Sequence, residues 1–288
     1  MVPILMIIAP ALAAAFYLLA CARAVHGIVP AAAEGPAPEG PAPARRTDAG
    51  SLAMLAGLLA HALALHSGMT AGDDFRFGFA PALSASFWVG VAMLWFEGRS
   101  MRIDALRVAV LPVAAVAALL PLAFPGAHFA VERSQPLFLP HLVVGTLAYG
   151  VLMLAALHAV LMTFATRALH RFSGGHSSLA RWVEQLPPLM VLERLLFRFI
   201  MIGFLLLTLT ALSGIVFSEE VFGRPLRADH KTIFALVAWA LFGLLLVGRR
   251  LWGWRGRTAL RLTLLGFGVL LLAYVGSRFV LEVILHRI

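Results

Sequence analysis

The sequence predicts an all-α protein, a polytopic helical bundle with about eight transmembrane helices. The 288 residues are 61% hydrophobic and only 13% charged, whereas a soluble domain is about half apolar and a quarter charged. The apolar residues also fall into eight runs, most of them close to the ~20 residues that cross a bilayer as a helix. The predicted spans are residues 2–24, 50–68, 78–96, 104–124, 137–166, 195–217, 232–248 and 259–285.

The spans and their connections predict one membrane domain over residues 1–288. The first span begins at Met1 without a basic segment or a small-residue cleavage site, so we interpret it as retained rather than as a signal peptide. Residues 26–49 are rich in Pro, Ala and Gly and are expected to form a disordered cytoplasmic linker. In the loop 167–194, apolar residues at helical spacing around Trp182 predict a short interfacial helix.

The distribution of charge predicts the orientation of the chain. Of the 23 Lys and Arg residues, sixteen fall on one side of the predicted spans and seven on the other. Because cytoplasmic loops carry the excess of Lys and Arg, both termini are expected outside, in the periplasm, and the chain in the bacterial cytoplasmic (inner) membrane. The net charge of +9 therefore reflects topology, and the expected partner is the lipid bilayer rather than a nucleic acid. No phosphate loop, metal-type Cys/His spacing or nucleophile–base pair indicates an enzyme.

Two histidines at the outer ends of spans are candidate ligands for heme iron. His141 opens the fifth span, and His286 lies at the outer end of the last one. Two neutral imidazoles at one membrane face are typical of axial heme ligation, although interfacial histidines that reach to water are an equal alternative. His66, nearer the outside in the second span, is a further metal-ligand candidate. His61 and His158 are expected to be buried and bonded to neighbouring helices.

Charged residues around these histidines extend the candidate site. Arg278, Glu282 and His286 are spaced i, i+4, i+8 and therefore share a helix face. Glu282 could orient His286 through its second ring nitrogen, and Arg278 could pair with Glu282 or with a ligand carboxylate. A structural ion pair near the boundary is the alternative interpretation. A polar strip from Glu219 to Lys231 lies between two spans on the external side, where it could hold an amphipathic ligand.

Several segments resemble the cytochrome c assembly protein family of the CcsA, ResC and CcmC type, in the branch that includes HemX and YpjD. The resemblance covers about residues 130–288. It is carried by Leu186 to Arg198, by Ile202-Gly203-Phe204, by Leu207-Thr208, by Ser213-Gly214 and by Asp229-His230-Lys231 with Ala238-Trp239. The polar strip lies where the family carries its tryptophan-rich heme loop, and Phe222, Leu226 and Ala228 stand in the places of tryptophans.

This resemblance implies a function in heme handling. His141 and His286 match the family's two external heme histidines, so the resemblance implies heme b at the external face, in a protein that assists cytochrome c assembly. The residues implied to contact heme or its propionates are Arg224, Arg227, Asp229, Lys231 and Arg278. Two alternatives remain open. One is a non-enzymatic adaptor or regulator of heme metabolism with a vestigial heme site, which binds cytochrome c assembly components or a soluble partner at loop 167–194. The other, a small-molecule transporter, lacks the expected internal repeat.

Overall fold

Eight helices dominate the part of the chain that the computed structural model describes, which is residues 2–28, 49–70, 75–99, 104–129, 138–171, 188–222, 230–276 and 279. All eight are long and apolar enough to cross a membrane, which confirms the predicted number of spans. They are α1 (Val2–Ile28), α2 (Ala49–Met69), α3 (Phe79–Glu97), α4 (Asp104–Ala123), α5 (Phe138–Arg171), α6 (Leu189–Phe222), α7 (His230–Trp252) and α8 (Gly256–Leu271).

The observed helices differ from the predicted spans mainly at their ends. α5 and α6 each contain 34 residues, more than the ~20 that a bilayer requires. α6 begins directly after Pro188, whose carbonyl accepts hydrogen bonds from the amides of Val191 and Leu192. A proline is well placed at such a position, because the first amides of a helix have no partner within it. α8 continues into a π-helical turn at Leu272–Gly276.

A short β-ribbon joins two of the loops and was not predicted. Strand β1 (Phe75–Phe77) pairs antiparallel with β2 (Ala127–Phe129), with Arg76 opposite His128. Gly126 precedes β2 with φ of 84°, and a Cβ added there would lie 2.7 Å from the Phe77 carbonyl carbon. Glycine is therefore required both by the backbone conformation and by the close approach of β1.

The helices pack in two groups that α3 connects. α1 packs on α2 and α4, while α5 packs on α6 and α8, and α7 lies against α6 and α8. α3 contacts both α4 and α5. Glycines permit the closest crossings, because a Cβ on Gly150 would lie 2.6 Å from the Ser86 carbonyl and one on Gly203 would lie 2.5 Å from Leu152 Cδ2. Small residues at such crossings are typical of membrane helices.

Buried polar side chains bind the helices to each other, as expected for His61 and His158. His61 lies at 0% exposure, with Nδ1 3.1 Å from the Tyr17 hydroxyl and Nε2 2.8 Å from Ser84 Oγ, so it connects α1, α2 and α3. His158 donates from Nε2 to the Leu192 carbonyl at 2.8 Å, which connects α5 to α6. Both histidines therefore satisfy a buried polar group across a helix interface.

Two predicted segments are not part of this description. The structure describes neither residues 29–48 of the expected linker nor the expected interfacial helix around Trp182.

Candidate functional site

His141 lies one turn into α5, on the side that faces α6. Its Nδ1 is 2.9 Å from the hydroxyl of Ser213, and that hydroxyl lies 3.1 Å from the Thr210 carbonyl. Because the Ser213 hydroxyl can donate its one hydrogen to the carbonyl, it accepts from Nδ1–H of His141. The tautomer that this network favours carries its lone pair on Nε2. A histidine whose second nitrogen is held in this way is oriented for metal ligation.

The crossing of α5 and α6 is made close by small residues around the His141 ring. A Cβ on Gly214 would lie 3.2 Å from His141 Cε1, and one on Gly145 would lie 3.4 Å from Thr210 Cγ2. A side chain at position 214 would therefore push against the imidazole. Ser213 holds the ring by a hydrogen bond, and Gly214 leaves the space that the ring occupies.

Lys231 lies at the same end of the bundle as His141. The indole of Trp239 donates to Thr208 Oγ1 at 2.9 Å and stacks on Phe204 with ring centroids 5.6 Å apart, which sets the register of α6 and α7. Lys231 precedes Trp239 by eight residues, or about 12 Å along a helix. In this antiparallel arrangement, the first turn of α7 therefore reaches the level of Ser213.

α8 also ends on the side of the bundle where His141 lies. The Tyr149 hydroxyl, two turns along α5 from His141, donates to the Leu270 carbonyl at 2.5 Å. The π-helical turn begins two residues after Leu270, and the ring centroid of Tyr274 within it lies 5.9 Å from that of Phe77 in β1. π-helical turns inside α-helices frequently occur at functional sites. The Phe77–Tyr274 contact thus joins the β-ribbon to the end of α8.

Aromatic rings surround this contact. Phe79 of α3 packs against Phe124 with ring centroids 5.1 Å apart and against Phe279 at 5.4 Å. Phe79 follows Phe77 by two residues, so these rings and the Phe77–Tyr274 pair belong to the same stretch of chain at the start of α3. Edge and tilted contacts of this kind contribute beyond the burial of their area.

The structure describes only three of the residues that the sequence predicts for the site. His141 and Lys231 lie at one end of the bundle, whereas His66 is exposed on α2, a helix that packs on α1 and α3. The structure therefore does not bring His66 to His141. Within the described ranges, no three His, Cys, Asp or Glu side chains are grouped to hold a metal ion. The remaining predicted site residues lie outside those ranges: Arg224, Arg227, Asp229, Arg278 and His286.

Three side chains that connect elements at this end of the bundle were not predicted from the sequence. Ser213 holds His141, Tyr149 connects α5 to α8, and Tyr274 anchors the β-ribbon. Ser213-Gly214 was noted only as part of the family resemblance. A small-residue pair in an otherwise bulky span is the signal that could have identified a close helix crossing there.

Comparison with known proteins gives one family and several relatives. The family model described as cytochrome C assembly protein matches residues 48–285. The inner membrane protein YpjD of Escherichia coli K12 is 32% identical over 179 residues, which are 61% of this chain and 65% of YpjD. The cytochrome c biogenesis protein CcsA of Synechococcus elongatus is 33% identical over 176 residues, 59% of this chain and 53% of CcsA.

The matched part therefore spans less than two thirds of these relatives' own lengths. An uncharacterized 28.8 kDa protein of Azospirillum brasilense is 32% identical over 145 residues, which are half of this chain. No solved structure matches the chain.

Proposed function

This chain belongs to the cytochrome c assembly protein family, and we propose that it binds heme at the outer face of the membrane in support of cytochrome c assembly. The observation that carries the proposal is the His141–Ser213 hydrogen bond. It orients the His141 imidazole at the end of a helix interface and, in the neutral ring, favours the tautomer with the lone pair on Nε2. This is the donor arrangement that iron ligation by histidine requires.

The residues around His141 fit heme in their chemistry. Heme, if bound, would supply an iron that histidine nitrogens can ligate and an apolar ring suited to a helix interface. Lys231, at the level of Ser213, can pair with a propionate carboxylate. We propose the same role for Arg224, Arg227 and Arg278, and a supporting role for Asp229 in the loop before α7.

His286 is the proposed second axial ligand. The Tyr149–Leu270 hydrogen bond directs α8 toward the end of the bundle where His141 lies. His286 follows Gly276 by ten residues, and we propose that the chain after α8 keeps it at that face. Heme b is the proposed form because covalent attachment of heme uses a pair of cysteines. The chain has a single cysteine, Cys21, which lies in α1.

We further propose that this face is the periplasmic one. The excess of Lys and Arg on the other face supports this orientation, with both termini outside. The cytoplasmic membrane as location is supported by the relative that is named an inner membrane protein.

An absorption spectrum of the purified protein tests the proposal. The wild type, as isolated or after addition of hemin, is expected to show the Soret and α/β bands of bis-histidine heme. His141→Ala and His286→Ala are each expected to lose the bis-histidine bands. His26→Ala is the control, because His26 is exposed in the last turn of α1. A wild-type protein that contains no heme as isolated and retains no hemin after gel filtration would contradict heme binding and favour the adaptor function.

A further inference from the structure

The turn between α7 and α8, defined here with its flanking helix ends as residues 249–257, concentrates basic residues at the end of the bundle opposite to His141. Phe197, which this turn contacts, precedes Ser213 by sixteen residues, or about 24 Å along α6. Four of nine consecutive residues are arginine: Arg249, Arg250, Arg255 and Arg257. Arg249 and Arg250 lie in the last turn of α7, and Arg255 and Arg257 lie where α8 begins. Arg249 also interacts electrostatically with Glu193 of α6.

The turn has a fixed conformation. Gly253 and Gly256 have φ of 66° and 52°, a left-handed region that glycine adopts without strain. The Trp254 amide donates to the Gly248 carbonyl at 3.2 Å. The Trp254 ring occupies the space above Gly248, since a Cβ there would lie 2.2 Å from Trp254 Cε3. These contacts hold the arginines of the turn in a defined arrangement rather than on a loose loop.

Arg249 is the anchored member of this group. Its guanidinium carbon lies 3.6 Å from the centroid of the Phe197 ring, a cation–π contact between α7 and α6. Its Nη1 is buried and has no hydrogen-bond acceptor within the described part of the chain. A buried guanidinium nitrogen without an acceptor is unfavourable, so an anionic oxygen that reaches this side chain would be stabilised.

The apolar surroundings of the turn match the membrane interface. Trp252 and Trp254 stack with ring centroids 5.5 Å apart. Trp252 and Leu251 are exposed, at 62% and 68% of their surface. Tryptophans are enriched where acyl chains meet headgroups, because the ring is apolar and its N–H is polar. The turn therefore offers cations and exposed apolar side chains side by side.

We propose that the α7–α8 turn binds the phosphate of an anionic phospholipid headgroup, with Arg249 and Arg255 as its principal contacts. The excess of positive charge favours an anionic headgroup over a zwitterionic one, and a planar guanidinium pairs with two phosphate oxygens at once. The exposed Trp252 and Leu251 lie beside the acyl chains of the same lipid. A free phosphate ion would use the cations but gain nothing from these apolar side chains.

Native mass spectrometry of the full-length protein in a neutral detergent tests this site. Phosphatidylglycerol is added in parallel with phosphatidylcholine of the same acyl chains. The wild type is expected to retain phosphatidylglycerol preferentially. Arg249→Gln and Arg255→Gln are each expected to weaken that retention about tenfold, the effect of losing one hydrogen bond between a charged donor and the phosphate. Arg167→Gln is the control, because it removes an exposed arginine of α5 at the same end of the bundle. It is expected to leave the retention of phosphatidylglycerol unchanged.

Two further measurements separate the alternatives. Arg249→Gln also removes the contact with Phe197, whereas Arg255→Gln does not, so Arg255→Gln tests lipid binding in a protein whose α6–α7 contact is intact. Equal retention of both lipids, or retention that neither variant changes, would overturn the proposal. Inorganic phosphate at millimolar concentration is expected not to displace phosphatidylglycerol. If it does, the site binds free anions and the lipid assignment is wrong.

Discussion

At the scale of single residues, Ser213 determines what His141 can do. A neutral imidazole has one protonated nitrogen and one nitrogen with a free lone pair. The hydrogen-bond partner of one nitrogen determines which of the two carries the lone pair. Because the Ser213 hydroxyl donates to the Thr210 carbonyl, its 2.9 Å contact with Nδ1 favours the tautomer with the proton on Nδ1. The chemistry of His141 therefore depends on a side chain 72 positions later in the chain.

Removing the Ser213 hydroxyl is expected to weaken heme binding without abolishing it. Ser213→Ala leaves His141 in place but lets its ring rotate, and the loss of such a supporting contact typically costs about 10–100-fold in affinity for the metal group. Hemin titration followed at the Soret band measures this change. Ser213→Thr keeps the hydroxyl and is expected to bind like the wild type. Unchanged affinity in Ser213→Ala would show that His141 needs no positioning from α6.

At the scale of elements, the α5–α6 pair depends on close approach at Gly203. A Cβ there would lie 2.5 Å from both Cγ and Cδ2 of Leu152. Leu152 is itself fully buried, so the two helices must separate or Leu152 must leave its rotamer. Glycine at this position thus keeps the two longest helices in contact along their length.

Gly203→Ala is therefore expected to destabilise the bundle by about 1–3 kcal/mol, the usual cost of overpacking a tight core. Thermal unfolding in detergent measures the change. Gly268→Ala is the matched control, because that glycine is also helical, is exposed and has no atom within 4 Å of an added Cβ. The control is expected to be neutral or slightly stabilising, since alanine favours helix more than glycine does. Equal stability of the two variants would contradict the packing argument.

The elements also show what the sequence could and could not predict. The helices were predictable because about 20 apolar residues in a row encode a span by their length alone. The β-ribbon was not, since strands of three residues such as Phe75–Phe77 contain too few residues to show alternation. For the site, the depth of His141 followed from its place in the fifth span. Its partner Ser213 did not, because no local pattern encodes the register between two helices.

At the scale of the whole molecule, the orientation in the membrane is still a prediction from charge. Labelling of single cysteines tests it, since Cys21 is the only native cysteine and Cys21→Ala gives a cysteine-free background. In spheroplasts, a membrane-impermeant maleimide is expected to label Ser134→Cys, which lies before α5 on the His141 side. Ser177→Cys, between α5 and α6, is expected to react only after lysis. The reverse pattern would place His141 in the cytoplasm and contradict the proposed periplasmic heme site.

The Tyr17–His61–Ser84 contact has a consequence for how the chain is made. The family model begins at residue 48, so α1 lies outside the matched segment, yet the α1 residue Tyr17 binds the buried His61 of α2. Synthesis proceeds from the N-terminus, so α1 is made before α2. An imidazole without a polar partner is costly in lipid. A polar partner for His61, on α1, is therefore synthesised before α2, and the second partner, Ser84, follows on α3.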